Sequence, residues 1–156
     1  MKPRLLMVDD EPDVRLGFGL YLTKAGFTML EASSLTEARQ VIVSNAVEGL
    51  LLDLNLPDGN GLDFIAEVRE AQPGTAIIVI TGKGDIPSAV EAMRRGADHF
   101  LSKPVNMGEL EIFLRKSLEV GGLRRNREAQ KRLSKKTQPF FGGSAAIGPC
   151  PKRIPV

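Results

Sequence analysis

The chain has 156 residues, 42% hydrophobic and 26% charged, with seven Phe, one Tyr and no Trp, a balance that buries a core and excludes global disorder. Its longest apolar runs are too short for a membrane span, four apolar residues after Arg4 are too few for a signal peptide, and one cysteine, Cys150, excludes an internal disulfide or cysteine-built zinc site, so a cytoplasmic protein is expected. The net charge of +2 hides 10 Lys+Arg against 17 Asp+Glu up to Leu114 and 11 against 2 from Arg115 onward, the pattern of a folded acidic domain followed by a basic interaction segment.

Short apolar runs suited to strands recur at Leu5 to Val8, Phe27 to Leu30, Gly49 to Leu54, Ala76 to Ile80 and His99 to Leu101. Between them lie helical spacings: Val14/Phe18/Tyr21/Leu22, Leu35/Ala38/Val41/Ile42, Leu62/Ile65/Val68 and Ile86/Val90/Met93, with a fifth at Leu110/Phe113/Leu114/Leu118. Each strand is thus followed by one crossover helix, as parallel pairing requires. Strands that are continuously apolar rather than alternating imply that both sheet faces are covered. Five such units are too few for a closed eight-stranded barrel, so the expected fold is α/β, a doubly wound (βα)5 flavodoxin-like parallel sheet of order 2-1-3-4-5.

Local punctuation supports these limits. Asp10-Glu11-Pro12 supplies a cap, read as Asp10, and a first-turn proline for the first helix; Ala25-Gly26 ends it. Asp58-Gly59-Asn60-Gly61 is a turn opening the third helix, Asp85-Ile86-Pro87 starts the fourth, and Gly96 closes it. The helical pattern slips at Gly121-Gly122 and resumes as an Arg/Lys-rich stretch to about Lys136, which Pro139 stops. The expected organisation is a domain over 1–120, a basic C-terminal linker helix over 121–138 and an irregular tail over 139–156.

In such a sheet, ligands sit at the carboxyl ends of the strands, near the point where strand order reverses. The first strand ends in Asp9-Asp10, the third near Asp53, the fourth in Thr81, and the fifth runs into Lys103-Pro104. Any one of these has an ordinary explanation as a cap, a turn residue or a solvated charge; independent caps would not all choose one rim. Three close carboxylates repel one another and raise their own pKa values unless a cation neutralises them, and a hard ion with oxygen ligands such as Mg²⁺ does so. A divalent ion, a lysine and a hydroxyl together suit a phosphoryl group, and Asp53, on the middle strand, is the candidate nucleophile.

Asp9-Asp10, Asp53-Leu54-Asn55-Leu56-Pro57 with Gly61, Thr81-Gly82 and Lys103-Pro104 resemble the signature of response-regulator receiver domains over residues 4 to 120. Thr81 to Val90 and Gly96 to Leu101 are most similar to receivers of sigma-54-dependent (NtrC-type) activators, and Phe141 to Ile147 resembles the start of their ATPase domain. No Gly-rich phosphate loop or helix-turn-helix follows, and Gly148 to Val156 departs from the family.

The resemblance implies a two-component phosphoacceptor switch rather than an enzyme, acting on an output such as transcription. Asp53 would accept phosphate from a sensor histidine kinase. Asp10, Asp53 and the Asn55 backbone carbonyl would ligate Mg²⁺, with Asp9 acting largely through water. Lys103 and Thr81 would each bind a phosphoryl oxygen, Phe100 would be the aromatic switch, and Asn55 and Lys83 would tune hydrolysis. It also implies a homodimer through the fifth helix and linker, where Leu123, Asn126, Gln130 and Leu133 recur at three- and four-residue spacing. Contact with DNA is expected only through domains absent from this chain, and none with membrane. The competing class is a phosphohydrolase of the haloacid-dehalogenase type, but its Asp-x-Asp-Gly-Thr is missing after the first strand and the chain has no room for a cap domain. His99, out of register with Phe100, and Cys150 are expected to be inert.

Overall fold

The computed structural model describes residues 2–82 and 85–137, the side chains of 123–137 excepted. The elements in order are β1 (Arg4–Val8), α1 (Pro12–Lys24), β2 (Thr28–Ala32), α2 (Leu35–Ser44), β3 (Gly49–Leu52), β4 (Asn55–Leu56), β5 (Gly59–Asn60), α3 (Gly61–Ala71), β6 (Ala76–Thr81), α4 (Ile86–Arg94), β7 (His99–Ser102) and α5 (Met107–Thr137). The main sheet runs β2-β1-β3-β6-β7, every neighbouring pair parallel. Counted by main strands this is the expected 2-1-3-4-5 order of a flavodoxin-like α/β fold.

Alternation along the strands splits the core in two. Leu6, Val8, Leu50, Leu52, Ile77 and Val79 face Phe64, Ile65 and Val68 of α3 and Leu35 and Ala38 of α2. Leu5, Met7, Leu51, Ile78 and Ile80 face Leu22 of α1 and Leu110 and Leu114 of α5. The central strands β3 and β6 are buried at every position, which is why their sequences are apolar without alternation. The edge strand β2 is only partly covered and mixes Thr28, Leu30 and Glu31. Gly49 lets β3 lie close to its neighbours, since a Cβ there would come within 2.6 Å of Leu5 Cδ2.

Two local expectations need correction. Asp10 does not cap α1: Glu11 occupies the cap position, with no side-chain cap bond, and Pro12 begins the helix. The proline at N1 already fixes the backbone there, so Asp10 is left exposed at the strand end. Helix α5 runs on through Gly121-Gly122 to Thr137, as a helix can when glycine costs it only about 1 kcal/mol against alanine. The stretch from Asn55 to Asn60, read as strand end and turn, holds the antiparallel β4–β5 hairpin. Elsewhere punctuation and structure agree. Asp85 caps α4 by accepting from Ser88 N, Asn60 caps α3 by accepting from Leu62 N, and Gly26 and Gly96 take positive φ after α1 and α4.

Residues 2–122 form one compact unit, and 123–137 fall in a second. The side chains of Leu123, Asn126, Gln130 and Leu133, the tail beyond Thr137 with Cys150, and Lys83 lie outside the described residues. No described helix is long and apolar enough to cross a membrane.

Candidate functional site

Parallel pairing brings the strand ends to one rim. Asp9 follows β1, its backbone N–H donating to Ala32 O, and Asp53 follows β3, donating likewise to Val8 O. Thr81 ends β6 and Lys103 follows β7, with Lys103 N donating to Thr81 O at 3.0 Å. Each side chain is therefore set by a ladder that the hydrophobic core holds in register. Asp9, Asp10 and Asp53 each bring a carboxylate oxygen within 4.8 Å of the others. Asp9 is fully buried, Asp53 nearly so, and Asp10 exposed.

Within the cluster every described oxygen of the two buried acids has a donor. Asp9 Oδ1 accepts from Glu11 N at 2.9 Å and Oδ2 from Lys103 Nζ at 2.8 Å. Asp53 Oδ1 accepts from Asn55 N at 3.0 Å and Oδ2 from Lys103 Nζ at 3.2 Å. Glu11 Oε1 stands 3.7 Å from the same ammonium. Burial works against the charge on Lys103, but its bonds and attraction to Asp9 and Asp53 outweigh it, so its pKa is raised above 10.5. One lysine cannot neutralise three carboxylates. A donor set of hard oxygens, one of them exposed and open to entry, fits a hard divalent cation.

Thr81 is fully buried, and its hydroxyl accepts from Asn55 Nδ2 at 3.1 Å. Asn55 thus touches the site twice, through its backbone at Asp53 and its side chain at Thr81. Asp10, Asn55, Pro57, Gly59 and Asn60 line a cavity of about 420 Å³ beside the cluster. Phe100 is partly buried and packs on the α2/α3 side of the sheet, while His99 faces the other side and stacks on Phe113 with ring centroids 4.6 Å apart. The expected site residues Asp9, Asp10, Asp53, Asn55, Thr81 and Lys103 therefore lie together, while Phe100 stands on β7 in register with Val79. Two features escape sequence reasoning: the Asn55–Thr81 side-chain bond, and Glu11 as a third acid on Lys103.

Residues 5–115 match the response regulator receiver domain. The chain belongs to that family. It is a receiver domain of two-component response regulators, a family of phosphoacceptor switches, and the alternative phosphohydrolase reading has no support. Among relatives, the response regulator protein PilR of Pseudomonas aeruginosa is 33% identical over 130 residues, covering 83% of this chain and 28% of that protein. The transcriptional regulatory protein GlrR of Escherichia coli is 36% identical over 115 residues, covering 74% and 26% respectively. This chain therefore spans little more than a quarter of the length of these two relatives. Among solved structures, the beryllofluoride-activated NtrC4 receiver domain dimer is similar with TM-score 0.72 and 33% identity, over 76% of this chain and 98% of that one. A CheY-like receiver from Methanospirillum hungatei has TM-score 0.75 at 25% identity, over 78% and 98%.

Proposed function

We infer that this receiver takes a phosphoryl group onto Asp53 from the phosphohistidine of a sensor histidine kinase, with Mg²⁺ held by Asp10, Asp53 and the Asn55 carbonyl and with Asp9 acting through water. The observation that carries this is the setting of Asp53: a nearly buried carboxylate, held at both oxygens, with a lysine, two further acids and a buried hydroxyl around it. In the transfer an Asp53 oxygen forms the new P–O bond as the P–N bond of the donor breaks, and the imidazole leaves with its electron pair. Mg²⁺ supplies charge neutralisation for the phosphoryl oxygens, which need it from several sides.

This chain's residues do the rest. Lys103, already on Asp9 and Asp53, pairs with one phosphoryl oxygen. Thr81 exchanges its Asn55 bond for another phosphoryl oxygen, and Phe100 follows by turning inward. Asn55 and Lys83 set how fast the acyl phosphate hydrolyses.

The output is transcriptional control of the sigma-54-dependent kind, supported by likeness to regulators such as PilR and GlrR. A second copy docks through α5, where Ile112 and Val120 are exposed, and the linker beyond it; the dimeric NtrC4 receiver supports this. Beryllofluoride with Mg²⁺ tests the switch. Backbone amide shifts of β6, α4 and β7 are expected to move together in the wild type and to stay still in Asp53→Ala. Shifts that persist in Asp53→Ala would overturn the reading.

A further inference from the structure

The backbone between Asp53 and α3 lies outside the main sheet. It is the small hairpin in which Asn55 pairs with Asn60 and Leu56 with Gly59, and an isolated pair of such short strands is not stable by itself in water. At its base Asn55 bonds Asp53 and Thr81, and three further attachments hold the rest. Leu56 is buried in the core. Asn60 caps α3 through Leu62 N at 2.8 Å. The third is Asp58, at the hairpin tip.

Asp58 Oδ1 accepts from Leu35 N at 2.9 Å, and Oδ2 accepts from Thr36 N at 2.9 Å and Thr36 Oγ1 at 2.7 Å. Leu35 and Thr36 are the first two residues of α2, whose own cap, Ser34, accepts only from Glu37 N. Asp58 thus completes the cap of α2 from another part of the chain, meeting N–H groups that no intrahelical carbonyl can serve at the positive end of the helix dipole. The Thr36 hydroxyl, then the Leu35 and Thr36 N–H groups, hold its carboxyl down to about 2. Beside it Gly59 sits at φ +154°, where a Cβ would come to 3.0 Å from Leu35 Cδ1, so tip and helix are in close contact.

Resting on the reading above, we propose that Asp58 is a positioning residue for the phosphoacceptor site: by capping α2 across the chain it fixes the hairpin that carries Asn55, and hence the backbone carbonyl presented to Mg²⁺. Asp58 touches neither metal nor phosphoryl group. It acts through the Asn55–Asn60 pair, three residues from the carbonyl it orients. Residues that orient a metal ligand from outside commonly change affinity by about tenfold or more when removed.

The experiment is a Mg²⁺ titration of the whole chain followed by the backbone amide NMR shifts of Asp53, Leu54 and Asn55, together with the Mg²⁺ dependence of labelling by acetyl phosphate. Asp58→Ala is expected to weaken Mg²⁺ binding about tenfold and to move the labelling midpoint to higher Mg²⁺ with the saturated rate retained. Ser34→Ala is the control: it removes a cap from the same helix without touching the hairpin, and should leave Mg²⁺ affinity unchanged. Asp58→Asn, which keeps one acceptor oxygen, should fall between, and it carries the test if Asp58→Ala does not fold. Wild-type affinity in the Asp58 variants, or equal weakening by Ser34→Ala, would overturn the proposal. A wild type whose amides do not respond to Mg²⁺ would instead overturn the metal assignment, and this proposal with it.

Discussion

Among the described residues Lys103 is the cation paired with the Asp9 and Asp53 carboxylates, at 2.8 Å and 3.2 Å, so Lys103→Met strips two buried carboxylates of their shared partner while keeping much of the side-chain length. A hydrogen bond to a charged group is worth about 1.5–3 kcal/mol, and removing one member of a buried ion pair costs about 3–5 kcal/mol. The Lys103 side chain is 21% exposed, so water restores part of this, and about 3 kcal/mol is the expected loss without metal. At about 4 °C per kcal/mol for a unit of this size, the melting temperature should fall by about 12 °C. Mg²⁺ should then stabilise the variant more than the wild type, because the ion no longer competes with an ammonium for Asp9 and Asp53; occupancy at a hundred times Kd is worth about 2.7 kcal/mol. Thermal melts by far-ultraviolet circular dichroism, with EDTA and with saturating Mg²⁺, measure both. An Lys103→Met variant as stable as wild type in EDTA, or one gaining no more from Mg²⁺, would refute the claim that Lys103 and a metal share these carboxylates.

The raised pKa of Lys103 means that its contribution is fully present below about 10.5 and is lost as pH climbs through the higher folded value; alkaline melts should therefore fall more steeply for wild type than for Lys103→Met. Asp58 runs the other way. Its contribution is present above 3.8 and lost as pH drops through about 2, so acid melts should be shallower for Asp58→Ala than for wild type over that window. At the far end of the sheet, Asp98 Oδ2 accepts from Ile77 N at 2.8 Å and from Arg69 at 3.3 Å; Asp98→Ala strands a buried N–H and should cost about 1–3 kcal/mol in urea unfolding, with phosphorylation of the folded protein unchanged.

Long-range order proved easier to read in the sequence than local detail. Leu50-Leu51-Leu52 and Ala76 to Ile80 are apolar because β3 and β6 are covered on both faces, and a strand–helix rhythm with such strands leaves few topologies. The rim cluster followed from topology alone, since parallel strands put their carboxyl ends together. Asp-Glu-Pro satisfies the local cap rule at either acid, and only the backbone of Glu11 decides between Asp10 and Glu11. The β4–β5 hairpin was invisible because two-residue strands carry no periodicity. Asp58 reads as an ordinary turn residue, its partners Leu35 and Thr36 lying 23 and 22 positions away, a pairing that turn propensity does not encode. Helix α5 runs through Gly121-Gly122, where the apolar pattern slips, since glycine costs a helix only about 1 kcal/mol against alanine.

The central claim is that Asp53 is the phosphoacceptor, and intact-mass spectrometry after incubation with acetyl phosphate and Mg²⁺ tests it most directly. The wild type should gain the mass of one phosphoryl group, lose that gain in EDTA, and show none in Asp53→Ala. Undiminished labelling of Asp53→Ala would contradict the account.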